Sequence, residues 1–300
     1  MGFTQFEGAM TALVTPLRNG HVDDKALAQL VEQQIAGGID ALVAVGTTGE
    51  SPTLNFDEHI HVVAHVVKCA RERVPVIAGA GSNSTVEAIE LAKGSREVGA
   101  DGLLLVTPYY NRPSQEGLYR HFGAVVKAVP LPTIVYNVPG RTGCDLMPET
   151  VARLCDFEAI VGIKEATGLM QRATSIIARC GARMTVLSGD DFTALPLYSV
   201  GARGVISVVS NIAPEWMAKM WDHARAGQWD EARALHFKIQ ALTELLFAEP
   251  SPSPTKAAMA MLAEAGGSVQ MTEEIREPLY SVTPALREKL KVVLKESGLT

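Results

Sequence analysis

The chain has 300 residues, 47% of them hydrophobic and 20% charged, and a net charge of −6 from 27 basic and 33 acidic side chains. A chain this long buries roughly three-quarters of its extended surface unaided by disulfides or metals, and its scattered basic residues argue against nucleic acid or an acidic membrane as partner. No apolar run reaches the roughly 20 residues of a membrane span, and Met1–Glu7 has neither a basic lead nor a long apolar stretch, so no signal peptide is expected.

Apolar runs and amphipathic stretches alternate along the chain. Met10–Pro16 comes first, followed by Lys25–Gly37 with Leu27, Leu30, Val31 and Ile35 on one helical stripe. After Ala41–Gly46, Asn55 with Glu58 three residues on predicts a capped helix. After Val74–Gly79, Ser84-Thr85-Val86-Glu87 has capping-box spacing. Gly102–Pro108, Pro132–Val138, Ile160–Lys164, Met184–Gly189 and Gly204–Ser210 complete eight runs, with helices predicted over Glu149–Leu154 and Leu169–Arg179. The runs are apolar on consecutive positions, which suits parallel strands covered on both faces. Eight strands, each followed by a helix, predict an α/β fold, a parallel (β/α)8 TIM barrel. An open doubly wound sheet is the alternative, because strand count does not establish closure. Beyond Ser210, helices are expected over Glu215–Ala226, Trp229–Phe247 and Lys256–Glu264. Glu249–Pro254 is expected to be a stiff extended break between the last two. The expected organisation is a catalytic barrel over 1–224 with a C-terminal helical extension over 225–300 packed on it.

A barrel of this kind carries its active site at the C-terminal ends of its strands. Those ends read Gly46-Thr47-Thr48-Gly49-Glu50, Thr107-Pro108-Tyr109-Tyr110-Asn111, Tyr136-Asn137-Val138-Pro139-Gly140-Arg141-Thr142, Lys164-Glu165, Ser188-Gly189-Asp190-Asp191 and Ile206-Ser207. Of eleven lysines, Lys164 alone is embedded in a strand expected to be buried; the others lie in helices or near their ends, the usual place of a solvated charge. Desolvation lowers an amine's pKa towards working pH, and a neutral amine attacks a carbonyl to form a Schiff base. The competing reading is a buried ion pair with Glu165, but neighbours on a strand point to opposite faces. Tyr136 and Tyr110 can relay protons, although an isolated tyrosine is more often a packing residue. Arg141 at the same rim can clamp a carboxylate, or be an ordinary surface arginine.

Other patterns carry less. Gly79-Ala80-Gly81-Ser82-Asn83-Ser84 lacks the last glycine of a dinucleotide loop. His59, His61 and His65 share one predicted helix without an HExxH motif, so surface histidines are expected rather than a metal site. Asn83-Ser84-Thr85 is a glycosylation sequon, irrelevant without secretion. Cys69, Cys144, Cys155 and Cys180 form no CxxC pair, so free thiols in a cytoplasmic protein are expected.

Val45–Ser51, Thr107–Gly117, Tyr136–Asp145, Gly162–Gly168 and Leu187–Asp191, in this order, resemble the dihydrodipicolinate synthase family of pyruvate-dependent class I aldolases, and the resemblance runs from about Gly8 to the C-terminus. It implies that Lys164 forms a Schiff base with pyruvate and that Tyr136 donates and accepts protons beside it. Thr47 would link Tyr136 to Tyr110, which would reach in from a neighbouring subunit. Thr48 and Ile206 would hold pyruvate, Gly189 would shape the pocket, and Arg141 would grip the carboxylate of L-aspartate 4-semialdehyde. The product would be 4-hydroxy-tetrahydrodipicolinate, on the diaminopimelate route to L-lysine. No metal or organic cofactor is implied, because the lysine supplies the electrophilic activation. Arg141-Thr142-Gly143 and Gly46–Glu50 favour the synthase over the neuraminate lyase branch.

The resemblance also implies a homotetramer, a dimer of tight dimers, with L-lysine as a possible feedback inhibitor at the tight-dimer interface. The matching positions are Ser51, Pro52, Phe56, His59, Asn83, Glu87 and Tyr109. Pro52 and Phe56 depart from the lysine-sensitive enterobacterial pattern, which has Ala and His there, and Ser251 replaces an Asn common in the Pro-rich segment. A sibling aldolase using another aldehyde or sugar acid, and a non-catalytic barrel sensing metabolites, are the alternative functions.

Overall fold

The computed structural model describes Phe3 and residues 5–300. Eight strands form the barrel: β1 (Gly8–Ala12), β2 (Ala41–Ala44), β3 (Val76–Gly79), β4 (Gly102–Val106), β5 (Thr133–Asn137), β6 (Ile160–Glu165), β7 (Thr185–Ser188) and β8 (Gly204–Ser207). Each pairs in parallel with its sequence neighbours, and β8 pairs with β1 to close the sheet. Closure excludes the open sheet. Every barrel-strand residue but Val106 is buried, as their continuous apolar character requires. The strands end a residue or more before most of the apolar runs do, because the last residues of those runs turn outward into the loops of the barrel mouth.

Local chemistry sets the helix starts. Asn55 and Glu58 form the expected reciprocal capping box on the helix Phe56–Ala70. Ser84 accepts from the Glu87 backbone N–H, but the Glu87 carboxylate accepts from Ser82 instead of closing the box. Asp23 caps the helix Asp24–Ala36.

Two apolar clusters fill the molecule. One occupies the barrel lumen and includes Met10, Val43, Ile134, Tyr136, Leu187 and Ile206. The other lies between strands and helices and continues into the C-terminal layer through Leu242, Met259 and Leu290. Helix Pro214–Arg225 follows β8 and packs on β1 as the eighth barrel helix, and the C-terminal layer adds helices Trp229–Leu246, Ser253–Glu264 and Pro284–Glu296. Two expectations are corrected here. The Pro-rich segment is no extended break throughout: Ser253 and Pro254 already belong to a helix, where proline in the first turn costs no hydrogen bond. The helix Pro284–Glu296, capped by Thr283, was not anticipated.

Candidate active site

Register builds the site. Tyr136 on β5 lies opposite Lys164 on β6, which in turn lies opposite Leu187 on β7. All three belong to one layer at the C-terminal end of the lumen, where Lys164 Nζ stands 4.2 Å from the centre of the Tyr136 ring. Glu165 points the other way, as strand alternation requires. Its carboxylate accepts from the Asn137 amide at 3.2 Å and the Thr167 N–H at 2.7 Å, so it is not the partner of Lys164.

Burial dominates the electrostatics. Lys164 is 5% exposed, and desolvation presses its pKa down to about 8; Asp191 pulls it back up, and Arg141 lowers it further. Burial also pushes the Tyr136 phenol up to about 12, against the opposing pull of Arg141 and the Thr47 hydroxyl. A tyrosine held protonated beside an amine held partly neutral can give a proton to an oxygen that the amine displaces.

A cavity of about 330 Å³ opens above this layer, lined among others by Thr47, Ser51, Pro52, Tyr109, Tyr136 and Arg141. Arg141 is exposed and has no carboxylate within ion-pair distance among the described residues, so its guanidinium is free to meet an anion from solution. Thr48 and Ile206 are both buried, Ile206 in the lumen cluster. Gly189 must stay small: a Cβ there would lie 2.6 Å from Ala166 Cβ and 3.1 Å from the Cγ and Cε of Lys164.

Tyr110 stands apart. Its N–H donates to the Thr142 carbonyl at 3.1 Å and its φ is +72°, yet its side chain is 89% exposed. Within one chain it does not reach Tyr136. Of the other candidates, Ser51, Pro52 and Tyr109 line the cavity itself, and Phe56, Asn83 and Glu87 lie at the surface around two helix starts. His59 is buried, and its ring Nε2–H donates to the Gly79 carbonyl at 2.7 Å. His61 pairs with Asp24 at 2.8 Å. Among the described residues, no three His, Cys, Asp or Glu side chains gather in a cluster able to hold a metal.

Sequence reasoning passed over several residues. Asp191 is buried, and its Oδ2 accepts from the N–H groups of Val208 and Val209 at 2.9 and 3.2 Å, while its charge favours the protonated amine of Lys164. Asp145 takes a bidentate bond from Arg172 at 2.7 and 2.8 Å and bonds Asn137, fixing the end of the loop that carries Arg141. Lys256, read as a solvated helix lysine, is fully buried against Glu50 at 2.5 Å. Its i, i+4 surroundings in sequence do not reveal this, because its partner is 206 residues away.

The model of the dihydrodipicolinate synthetase family matches residues 5–297. The chain belongs to that family. 4-Hydroxy-tetrahydrodipicolinate synthases from Syntrophus aciditrophicus and Geotalea daltonii are 51% and 52% identical to it, each over 98% of this chain and 99% of theirs. A dihydrodipicolinate synthase of Acinetobacter baumannii, crystallised with pyruvate, superposes with a TM-score of 0.95 at 46% identity, over 99% of this chain and all of that one. A family member from Cyanidioschyzon merolae with lysine bound gives 0.93 at 38% identity, over 99% and 100%. Membership makes this chain a lyase of lysine biosynthesis, so neither the sibling aldolase nor the silent barrel is needed.

Proposed function

We propose that the chain condenses pyruvate with L-aspartate 4-semialdehyde through a Schiff base on Lys164. One observation carries the assignment: a lysine buried in the lumen layer, with its amine over Tyr136 and its pKa lowered to about 8. The neutral amine attacks the keto carbon of pyruvate. Tyr136 protonates the carbinolamine oxygen, which leaves as water, and the iminium becomes an electron sink. Loss of a methyl proton gives an enamine, which forms the new carbon–carbon bond to the aldehyde carbon of the semialdehyde. The semialdehyde's amino group then closes onto the iminium carbon and expels Lys164, giving 4-hydroxy-tetrahydrodipicolinate.

In this reading Thr48 and the Ile206 backbone hold pyruvate, Gly189 leaves room for the Lys164 stem, and Arg141 takes the semialdehyde carboxylate. Thr47 passes protons between Tyr136 and a Tyr110 supplied by a second copy. The 89% exposed Tyr110 and the exposed Phe56 and Val86 support a homotetramer built from tight dimers. Four free cysteines and a net charge of −6 suit a cytoplasmic enzyme. Among the described residues, no helix is long and apolar enough to cross a membrane.

Reduction with borohydride in the presence of pyruvate tests the centre of this reading. The expected result is an irreversible pyruvate adduct on Lys164 alone and loss of activity. Labelling of another lysine, or none, refutes it.

A further inference from the structure

We propose that the buried Glu50–Lys256 pair is a positioning device for catalysis, through which the C-terminal helical layer holds the Gly46–Gly49 turn, and with it Thr47 and Thr48, at the barrel mouth. The inference rests on the role proposed above for Thr47 and extends it to two residues that touch no substrate.

Lys256 is 0% exposed and Glu50 1%. Two charges taken this far from water are often no more stable than an apolar pair of the same volume, so stability is a poor account of why they are there. Position is a better one. Lys256 Nζ donates to one Glu50 carboxylate oxygen, and the backbone N–H of Arg276 donates to the other at 3.0 Å. Both bonds come from the C-terminal layer. The Arg276 guanidinium continues the attachment, donating to the Thr53 carbonyl at 2.7 Å and to both oxygens of Glu58. The chain just after Thr47-Thr48 is thereby tied to the C-terminal layer at several points.

The turn needs such support. It closes by Gly49 N–H to Gly46 O at 3.0 Å and Glu50 N–H to Thr47 O at 3.1 Å. It is bracketed by Val45 at φ +54° and Glu50 at φ +59°. A β-branched residue in the left-handed region is strained, and such strain persists only where the surroundings over-determine it. On the barrel side a Cβ at Gly79 would lie 2.2 Å from the Val45 carbonyl oxygen, and the Thr15 hydroxyl holds the Gly49 carbonyl at 2.7 Å. On the outer side, the bonds on the Glu50 carboxylate are what hold the turn. Without them the turn relaxes, and Thr47 leaves the Tyr136 phenol.

The test uses the full-length enzyme with Glu50→Gln, Lys256→Met and the two combined, each alone and in a Thr47→Val background. Thermal unfolding, kcat and both KM values are measured. The expected result for the single variants is a fall in kcat of roughly 10–100-fold, the scale of a small misplacement of a reacting group, with the pyruvate KM little changed. The combined variant, which leaves no buried charge unpaired, is expected to regain most of the lost thermal stability while kcat stays low. Added to Thr47→Val, the pair substitutions are expected to cost little more, because both act through one group. A combined variant with wild-type kcat, or losses that multiply with Thr47→Val, overturns the proposal. Thr47→Val with wild-type kcat overturns the reading of Thr47 and this inference with it, and is distinguishable because the pair is then intact. Should Lys256→Met fail to fold, Glu50→Gln, which keeps the volume, carries the same comparison.

Discussion

At the scale of the residue, the chemistry turns on how far burial has moved one amine. Lys164 falls from the ordinary 10.5 to about 8, chiefly by desolvation. The trapping rate at fixed, subsaturating pyruvate should therefore rise with pH and reach half its maximum near 8; a midpoint near 10 would show an amine that burial has not altered. Asp191, ahead of Asp190, is the carboxylate that most favours the charged amine, so Asp191→Asn should shift that midpoint downward. Stability carries the same signature with a definite sign. Between pH 8 and 10.5 the unfolded chain holds this proton more tightly than the folded one, so stability gains with rising pH across that interval. The ceiling on this gain is roughly 3 kcal/mol. Lys164→Met should remove that slope, which urea titrations at pH 7.5 and 10 would reveal. Lys164 was legible in the sequence because a lysine inside an apolar strand has no solvated alternative. Lys256 was not, because a helix always offers a lysine a wet face, and only the distant Glu50 decides otherwise.

Strand ends set the shape of the pocket. Gly189 follows β7 and Ala166 follows β6, and the two backbones come together where the Lys164 stem passes between them. Gly189→Ala places a methyl 3.1 Å from the Lys164 chain, a tight contact, and 2.6 Å from Ala166 Cβ, closer than methyl groups approach in folded proteins. Either the strands part or the amine swings off Tyr136. Borohydride trapping by Gly189→Ala should fall roughly 10–100-fold while the barrel still folds, as circular dichroism would show; unchanged trapping would mean the strands part at no cost to the amine. The eight strands were readable from short consecutive apolar runs rich in Val, Ile and Leu, which suit a sheet covered on both faces and are too short for buried helices. The helix Pro284–Glu296 was harder to see. It buries only Leu286, Leu290 and Leu294, and a long stretch without regular structure precedes it. Thr283-Pro284 is nonetheless a cap followed by a first-turn proline, a start that the sequence does display.

At the scale of the whole molecule, the proposed pairing of two copies bears on regulation. Of the residues matching the family's lysine site, Ser51, Pro52 and Tyr109 line the same cavity as Thr47 and Arg141. An effector seated against them would bear directly on the proposed proton relay, since Tyr110 follows Tyr109 in the chain. Asn83 and Glu87 offer polar groups to an amino acid's charged ends, and His59 is turned inward to Gly79. Phe56 presents only a hydrocarbon edge, half exposed, where an imidazole would add a hydrogen bond. Pro52 stiffens the short helical turn Ser51–Thr53 just beyond Glu50. L-Lysine should therefore inhibit, but more weakly than it does the enterobacterial members with Ala and His at these positions. Allosteric coupling is ordinarily about 1–3 kcal/mol, so one lost polar contact is a sizeable share of it. Titration of the purified enzyme with L-lysine, beside Phe56→His, checks this: the variant should be inhibited at lower lysine than the parent. Complete insensitivity of both proteins at millimolar lysine would mean that Asn83, Glu87 and Tyr109 do not assemble into a working site, and equal sensitivity would mean that Phe56 is neutral there.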